Sequence, residues 1–245
     1  MNDKILKNKN CLITGASGGL GREISIEMAK KGCNLFLIGR NKTKLENLKS
    51  EIQSINNTIS IEYQLTDLRI TEQIDSLISN VRQKFSHIDI LVNCAGENHR
   101  KPISESTIEE YDSCMNLNVR APFILSKEFS KDMINNQWGR IVNIASSSAH
   151  NGFKNAAIYC SSKHALLGLS RTLFAELKDQ NIRSFCISPG SMKTRMAKED
   201  EGLLAEHDYN TFMEPNEVAE FITKIISYDN EMVSQEISLS RLNIN

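Results

Sequence analysis

Residues 14–21 read Thr14-Gly15-Ala16-Ser17-Gly18-Gly19-Leu20-Gly21. They lie between an apolar run at 11–14 and a stretch of helical period at 22–30. Glycines at such a junction let the chain turn sharply and let backbone N–H groups come close to an anion. The helix that follows points its positive end at the same place. A glycine-rich turn with no ligand is the plainer alternative. The position between strand and helix favours an anion site of the size of a pyrophosphate.

Working outward, short and nearly continuous apolar runs fall at 11–14, 34–38, 59–64, 90–93, 140–144, 183–188 and 236–239. Runs of that kind suit strands covered on both faces. Helical patterns fall between them at 22–30, 43–55, 70–85, 107–134, 156–178 and 215–227. The alternation predicts an α/β fold, a mostly parallel, doubly wound sheet with helices on both faces and right-handed crossovers. No repeat and no Pro/Gly/Ser-rich linker divides the chain, so one domain is expected over 1–245. The segment 193–214 carries charges of both signs, follows a strand end and precedes Pro215. It reads as a lid over a site at the sheet edge, with a plain surface excursion as the alternative.

The 245 residues carry 29 Lys+Arg against 30 Asp+Glu, a net charge of −1, which argues against a nucleic-acid partner. Apolar residues at 40% and charged residues at 24% describe an ordinary globular chain and exclude wholesale disorder. The polar start, MNDKILKNKN, reads as no signal peptide, and no run approaches the ~20 apolar residues of a membrane span. Six cysteines are scattered singly, as reduced thiols in a cytoplasmic protein would be. The five histidines show no ligand spacing, so no metal is expected. His150 could face a substrate or solvent.

Tyr159-Cys160-Ser161-Ser162-Lys163 falls in a helical stretch, where positions i and i+4 share a face. A free phenol has a pKa near 10, and acid–base work near neutrality needs a shift of roughly 2–3 units, about 3–4 kcal/mol. One cation at ~4 Å supplies about that much at an effective dielectric near 20. Lys163 is one candidate source, a cationic group on a bound ligand the other.

The glycine spacing and Tyr-x-x-x-Lys together resemble the short-chain dehydrogenase/reductase family, in its branch of roughly 250-residue single-domain enzymes. The resemblance implies a Rossmann-type seven-stranded sheet of order 3-2-1-4-5-6-7. It implies a nicotinamide cofactor held by Gly15, Ser17, Gly19, Leu20 and Gly21, with Asp67 and Leu68 at the adenine. Asn93, Ala95 and Gly96 follow the fourth strand, with Cys94 where the family has Asn. Pro189, Gly190, Met192 and Thr194 would hold the nicotinamide. Position 40 is Arg, where NAD(H)-specific enzymes want a carboxylate for the ribose 2′-OH. Arg40 could instead pair with a 2′-phosphate, which favours NADP(H), or merely be a solvated charge at a helix start.

Catalytic roles are implied for four residues. Tyr159 would be the general acid and Ser146, 13 residues upstream, the oxyanion partner, with Ser147 and Ser148 as rivals. Lys163 would lower the Tyr159 pKa and hold ribose hydroxyls. Asn118 would support a water relay to Lys163, and Pro122 nearby demands a local kink. The expected reaction is hydride transfer between nicotinamide and a ketone or secondary alcohol. Reductases of 3-oxoacyl groups on acyl carrier protein are similar, but Gln137 and Gln180 stand where those enzymes carry carrier-docking arginines. Arg140 and Arg171 could compensate only if they face outward. A homodimer or homotetramer is implied, the dimer built on the two long helices. A catalytically silent cofactor-binding sensor or scaffold is the competing class.

Overall fold

The computed structural model describes residues 5–242, so the ends of the expected domain, 1–4 and 243–245, lie outside the described residues. Seven parallel strands form one sheet in the order β3-β2-β1-β4-β5-β6-β7. They are β1 (Asn10–Thr14), β2 (Asn34–Gly39), β3 (Ile61–Leu65), β4 (Ile90–Asn93), β5 (Gly139–Ile144), β6 (Ile182–Pro189) and β7 (Glu236–Leu239). Crossover helices α1 (Gly19–Lys30), α2 (Lys42–Ile55), α3 (Thr71–Lys84), α4 (Ile108–Met115), α5 (Ala121–Asn135), α6 (Ala157–Leu177) and α9 (Pro215–Ile226) cover it. Two short helices, α7 (Arg195–Lys198) and α8 (Glu201–Glu206), lie in the segment read as a lid.

The strands are apolar on both faces because each face has its own core. Ile13, Leu35 and Leu37 pack with Ile24 and Met28 of α1 and Ile222 of α9. Their neighbours Leu12, Phe36 and Ile38 point the other way, onto Ile74 and Leu77 of α3 and Phe129 of α5. Strand alternation therefore feeds two cores at once. Full burial of each such side chain is worth about 1.5–3 kcal/mol. β1 has β2 on one side and β4 on the other, so the winding direction reverses at β1 and opens a crevice at the carboxyl ends of β1 and β4.

One expectation is corrected, and one open alternative is settled. The single helix expected over 107–134 is interrupted by a π turn, Asn116–Arg120, between α4 and α5. Pro122 explains it: in a regular α-helix its ring would strike the carbonyl of Asn118 four residues back, and it has no N–H to offer that carbonyl. The wider turn relieves the clash. Arg140 does not face outward. It is fully buried at the start of β5, its guanidinium 4.3 Å from the Trp138 ring centroid. It donates to the carbonyls of Ile226 and Gly139 and pairs with Asp229. Burial, then Arg183, lowers its pKa to about 10.

Candidate active site at the carboxyl edge of the sheet

The glycine turn is held against the end of β4 by Thr14. Its hydroxyl accepts from the amides of Cys94 (2.9 Å) and Ala95 (3.0 Å) and donates to the Val92 carbonyl (3.3 Å). Three hydrogen bonds from one side chain tie β1 to the end of β4; Thr14 opens the glycine stretch, whose spacing alone assigns it no role. Gly15 takes φ +70°, and a Cβ there would come within 2.9 Å of the Ala95 backbone. A Cβ on Gly21 would lie 2.4 Å from the Gly15 carbonyl oxygen. Both glycines are thus required by close backbone approach. The turn feeds α1, whose N-cap, Gly18, offers no side-chain cap and whose first turn holds no acid. The amides at that helix start are open to an anion.

The other predicted cofactor contacts are arranged around this turn. A Cβ on Gly39 would lie 2.6 Å from the Ser17 hydroxyl, so Ser17 sits beside the end of β2, next to exposed Arg40. The Arg40 charge reaches Asp67, although the carboxyl of Asp67 is held below its usual range chiefly by hydrogen bonds from Arg69. The Leu20 side chain is buried in one core, and Leu68 in the other. Thr194 lies against Gly19, with its methyl 2.7 Å from where a Cβ would stand. Gly190 donates its amide to Leu239 at the end of β7 (2.8 Å), one residue past Pro189. The Met192 carbonyl accepts from the Thr194 amide (2.8 Å). Asn93 points elsewhere: its side chain is 2% exposed and donates to the Asn143 side chain (2.9 Å), bracing β4 against β5.

Beside that cradle lie the four candidate catalytic residues. Ser146 follows β5, and its hydroxyl is placed to hydrogen-bond the Tyr159 phenol. Ser147 and Ser148 begin the 3-10 turn after it, and Ser148 is buried. Lys163 is 4% exposed, donates to the Ile144 carbonyl (2.9 Å), and lies 5.6 Å from the Tyr159 ring centroid. Gly96 faces both Asn118 and Lys163: a Cβ there would lie 3.3 Å from the Asn118 amide oxygen and 3.5 Å from the Lys163 ammonium. Asn118, fully buried in the π turn, accepts from the Glu97 amide (3.0 Å). Its side-chain N–H groups are shared among the Glu97 carbonyl (3.0 Å), the Ser162 hydroxyl (2.9 Å) and the Cys114 sulfur (3.2 Å). Ser162 in turn donates to the Tyr159 carbonyl (2.8 Å). The sequence places Glu97 on a loop beside the pocket but gives no role to Ser162 or Cys114, since nothing in their spacing shows that the three meet.

Burial dominates the electrostatics of the protein's own groups here. The Tyr159 phenol is not depressed but pushed up to about 12, first by burial, with the Ser146 hydrogen bond opposing. Lys163 is itself buried, and burial lowers its pKa. Desolvation is the largest cause of both shifts. Holding the phenol neutral supports the fold fully below pH 10 and is lost as the pH rises through about 12. At pH 10 the phenolate absorbance of wild type minus that of Tyr159→Phe is expected to be well under half of one tyrosine. A difference of half or more would contradict this reading.

The His150 ring nitrogen lies 3.1 Å from the Ser188 hydroxyl at the end of β6. All six cysteines are free thiols. No helix among the described residues is long and apolar enough to cross a membrane.

Comparison with known proteins accords with this geometry. A family model described as short chain dehydrogenase matches residues 9–202. The chain belongs to the short-chain dehydrogenase family. It is 33% identical over 227 residues to a 3-oxoacyl-(acyl-carrier-protein) reductase of Rickettsia conorii, spanning 91% of this chain and 90% of that protein. L-sorbose reductase from Gluconobacter frateurii, crystallised with NADPH and L-sorbose, superposes with a TM-score of 0.88 at 26% identity, covering 98% of this chain and 97% of that one. A metagenomic short-chain oxidoreductase in complex with NADP gives 0.82 at 25% identity, covering 96% and 98%. As a short-chain dehydrogenase, the protein is an oxidoreductase, and its glycine turn and Tyr159–Lys163 pair fall inside the matched span.

Proposed function

We propose that this short-chain dehydrogenase is an NADPH-dependent carbonyl reductase, or in reverse a secondary-alcohol dehydrogenase, acting as one domain over 1–245 with a lid at 193–214. The observation that carries the reading is the convergence of Ser146, Tyr159 and Lys163 beside a glycine turn that leaves no room for a Cβ at Gly15 or Gly21. Bound NADPH supplies the hydride. The half-buried phenol of Tyr159 remains protonated at neutral pH and so holds the proton that the developing alkoxide needs. Ser146 donates to the same oxygen and stabilises its charge. Lys163, fixed to the Ile144 carbonyl, keeps its remaining N–H groups for ribose hydroxyls. The Asn118 side chain is taken up by protein partners, so a relay water would belong on its backbone carbonyl, to which Pro122 has no N–H to give.

Ser17 beside Gly39 and the exposed Arg40 support NADP(H) over NAD(H), in line with the NADP- and NADPH-bound neighbours. Arg40→Asp should weaken NADPH binding by roughly tenfold or more, the worth of a charge-assisted hydrogen bond or two, and spare NADH. Fluorescence titration with both cofactors checks this, and unchanged NADPH affinity would sink the assignment. A mostly apolar hollow lined by Met115, Val119, Phe123 and Leu169, with Asn116 and Arg120 beside them, on the α4–α5–α6 face supports a homodimer on the long helices. The six free thiols support a reducing compartment such as the cytoplasm.

Reduction of acyl groups on acyl carrier protein is the second reading, favoured by the Rickettsia relative. It loses support from Gln137 and Gln180 and from the burial of Arg140, whereas Arg171 is exposed and paired with Glu236 at 2.6 Å, the one of the two arginines that faces outward. NADPH consumption measured with simple ketones, polyhydroxy ketones and an acyl-carrier thioester tests the proposal. Turnover confined to the thioester would favour the second reading. Tight cofactor binding with no turnover at all would favour a silent sensor or scaffold.

A further inference from the structure

The excursion 193–214 leaves and rejoins the body through a narrow neck. The Lys193 amide donates to the Met213 carbonyl (2.9 Å), and the Met213 amide donates to the Ser191 carbonyl (3.1 Å). Its near end rests on the glycine turn through Thr194 and Gly19. Between α7 and α8 lies Asp200, whose side chain is 8% exposed although Glu199 and Glu201 on either side are exposed. A carboxylate so covered needs partners. One oxygen accepts from the Asn98 side chain (2.8 Å) and lies 3.5 Å from Nε of Arg100, both on the loop after β4. The other accepts from the Leu203 amide (2.9 Å), capping α8. Gly202 lets α8 settle onto the guanidinium: a Cβ there would stand 3.3 Å from Arg100 Nη1. The same loop is tied to the 150–155 loop by the Lys101 amide on the Asn155 carbonyl (2.8 Å).

We propose that Asp200 and Arg100 form a latch that holds the 193–214 excursion closed over the substrate space, and that both are positioning residues for the reaction. The catalytic part of this rests on the carbonyl-reductase reading; the latch itself does not. The loop after β4 is the hub, since it is bound to the lid on one side and to the 150–155 loop on the other. Its base is pinned by Asn118 through Glu97, so the latch connects the lid to the residues around Tyr159. The Asp200 charge also reaches the phenol and helps to hold it in its protonated, proton-donating form.

Asp200→Asn isolates the charge, because Asn caps a helix as well as Asp does and can still accept from Asn98. The variants to compare are Asp200→Asn, Arg100→Gln and the double mutant. Tryptic cleavage at the exposed Arg195 and Lys198 reports lid opening, and steady-state kinetics report positioning. Asp200→Asn is expected to speed cleavage at those two sites severalfold. It should raise KM for the carbonyl substrate by about tenfold, with a smaller fall in kcat and NADPH affinity unchanged. The double mutant should be no worse than the worse single one. Unchanged cleavage in Asp200→Asn, or additive effects in the double mutant, would overturn the latch. Faster cleavage with an unaltered KM would overturn the positioning role. If the wild type reduces no carbonyl, the proposed function fails, while the cleavage assay still decides the latch.

Discussion

Replacing Tyr159 with Phe is expected to lower kcat for carbonyl reduction by ~10²- to 10⁴-fold, the usual worth of a positioned general acid. The ring stays, so the packing of α6 against the 3-10 turn after β5 survives. Only the hydroxyl beside Ser146 is lost. NADPH binding persists, because the glycine turn and the start of α1 are untouched. The loss therefore falls on kcat and not on cofactor affinity. Stopped-flow kinetics with saturating NADPH separates the two. A variant that turns over at the wild-type rate would remove the phenol from the chemistry.

Gly21→Ala is expected to cost NADPH affinity by at least ~100-fold, close to the upper end of what overpacking a tight contact costs. The added methyl would stand 2.4 Å from the Gly15 carbonyl oxygen and 2.8 Å from its carbon, both backbone atoms that cannot rotate aside. Relief requires the start of α1 to move away from the turn that directs amides at the anion. Alanine is by itself the better helix former by about 1 kcal/mol, so helix propensity cannot explain a loss. Thermal shift with and without NADPH is the readout. The variant should fold and show little or no stabilisation by cofactor. Stabilisation equal to that of the wild type would mean that the turn does not carry the pyrophosphate.

Much of the fold could be read from hydrophobic runs, because strands buried on both faces leave a strong signal. β4 and β7 begin and end where the runs do, and the other strands differ by one or two residues. The π turn at Asn116–Arg120 could not be read, because apolar periodicity continues through it and only Pro122 hints at a change of pitch. The inward turn of Arg140 was equally hidden, since the carbonyls and the carboxylate that receive it come from Ile226 and Asp229, far along the chain. The candidate catalytic residues were legible as a pattern, but their electrostatics were not. Spacing places Tyr159 and Lys163 on one face of a helix. It does not reveal that burial of Lys163 and partial burial of Tyr159 set the direction of their pKa shifts. The lid showed only mixed charge. Asp200 became informative once the loop carrying Asn98 and Arg100 was seen beneath it.

The central claim is that this site moves hydride from a nicotinamide to a carbonyl carbon, with Tyr159 supplying the proton. NADPH carrying deuterium at the transferring position, incubated with the wild-type protein and a reducible ketone, tests it most directly. The account predicts one deuterium on the carbinol carbon of the alcohol for each NADPH consumed, and almost no labelled product from Tyr159→Phe. Alcohol formed without the label, or labelled product made equally fast by the variant, would contradict it.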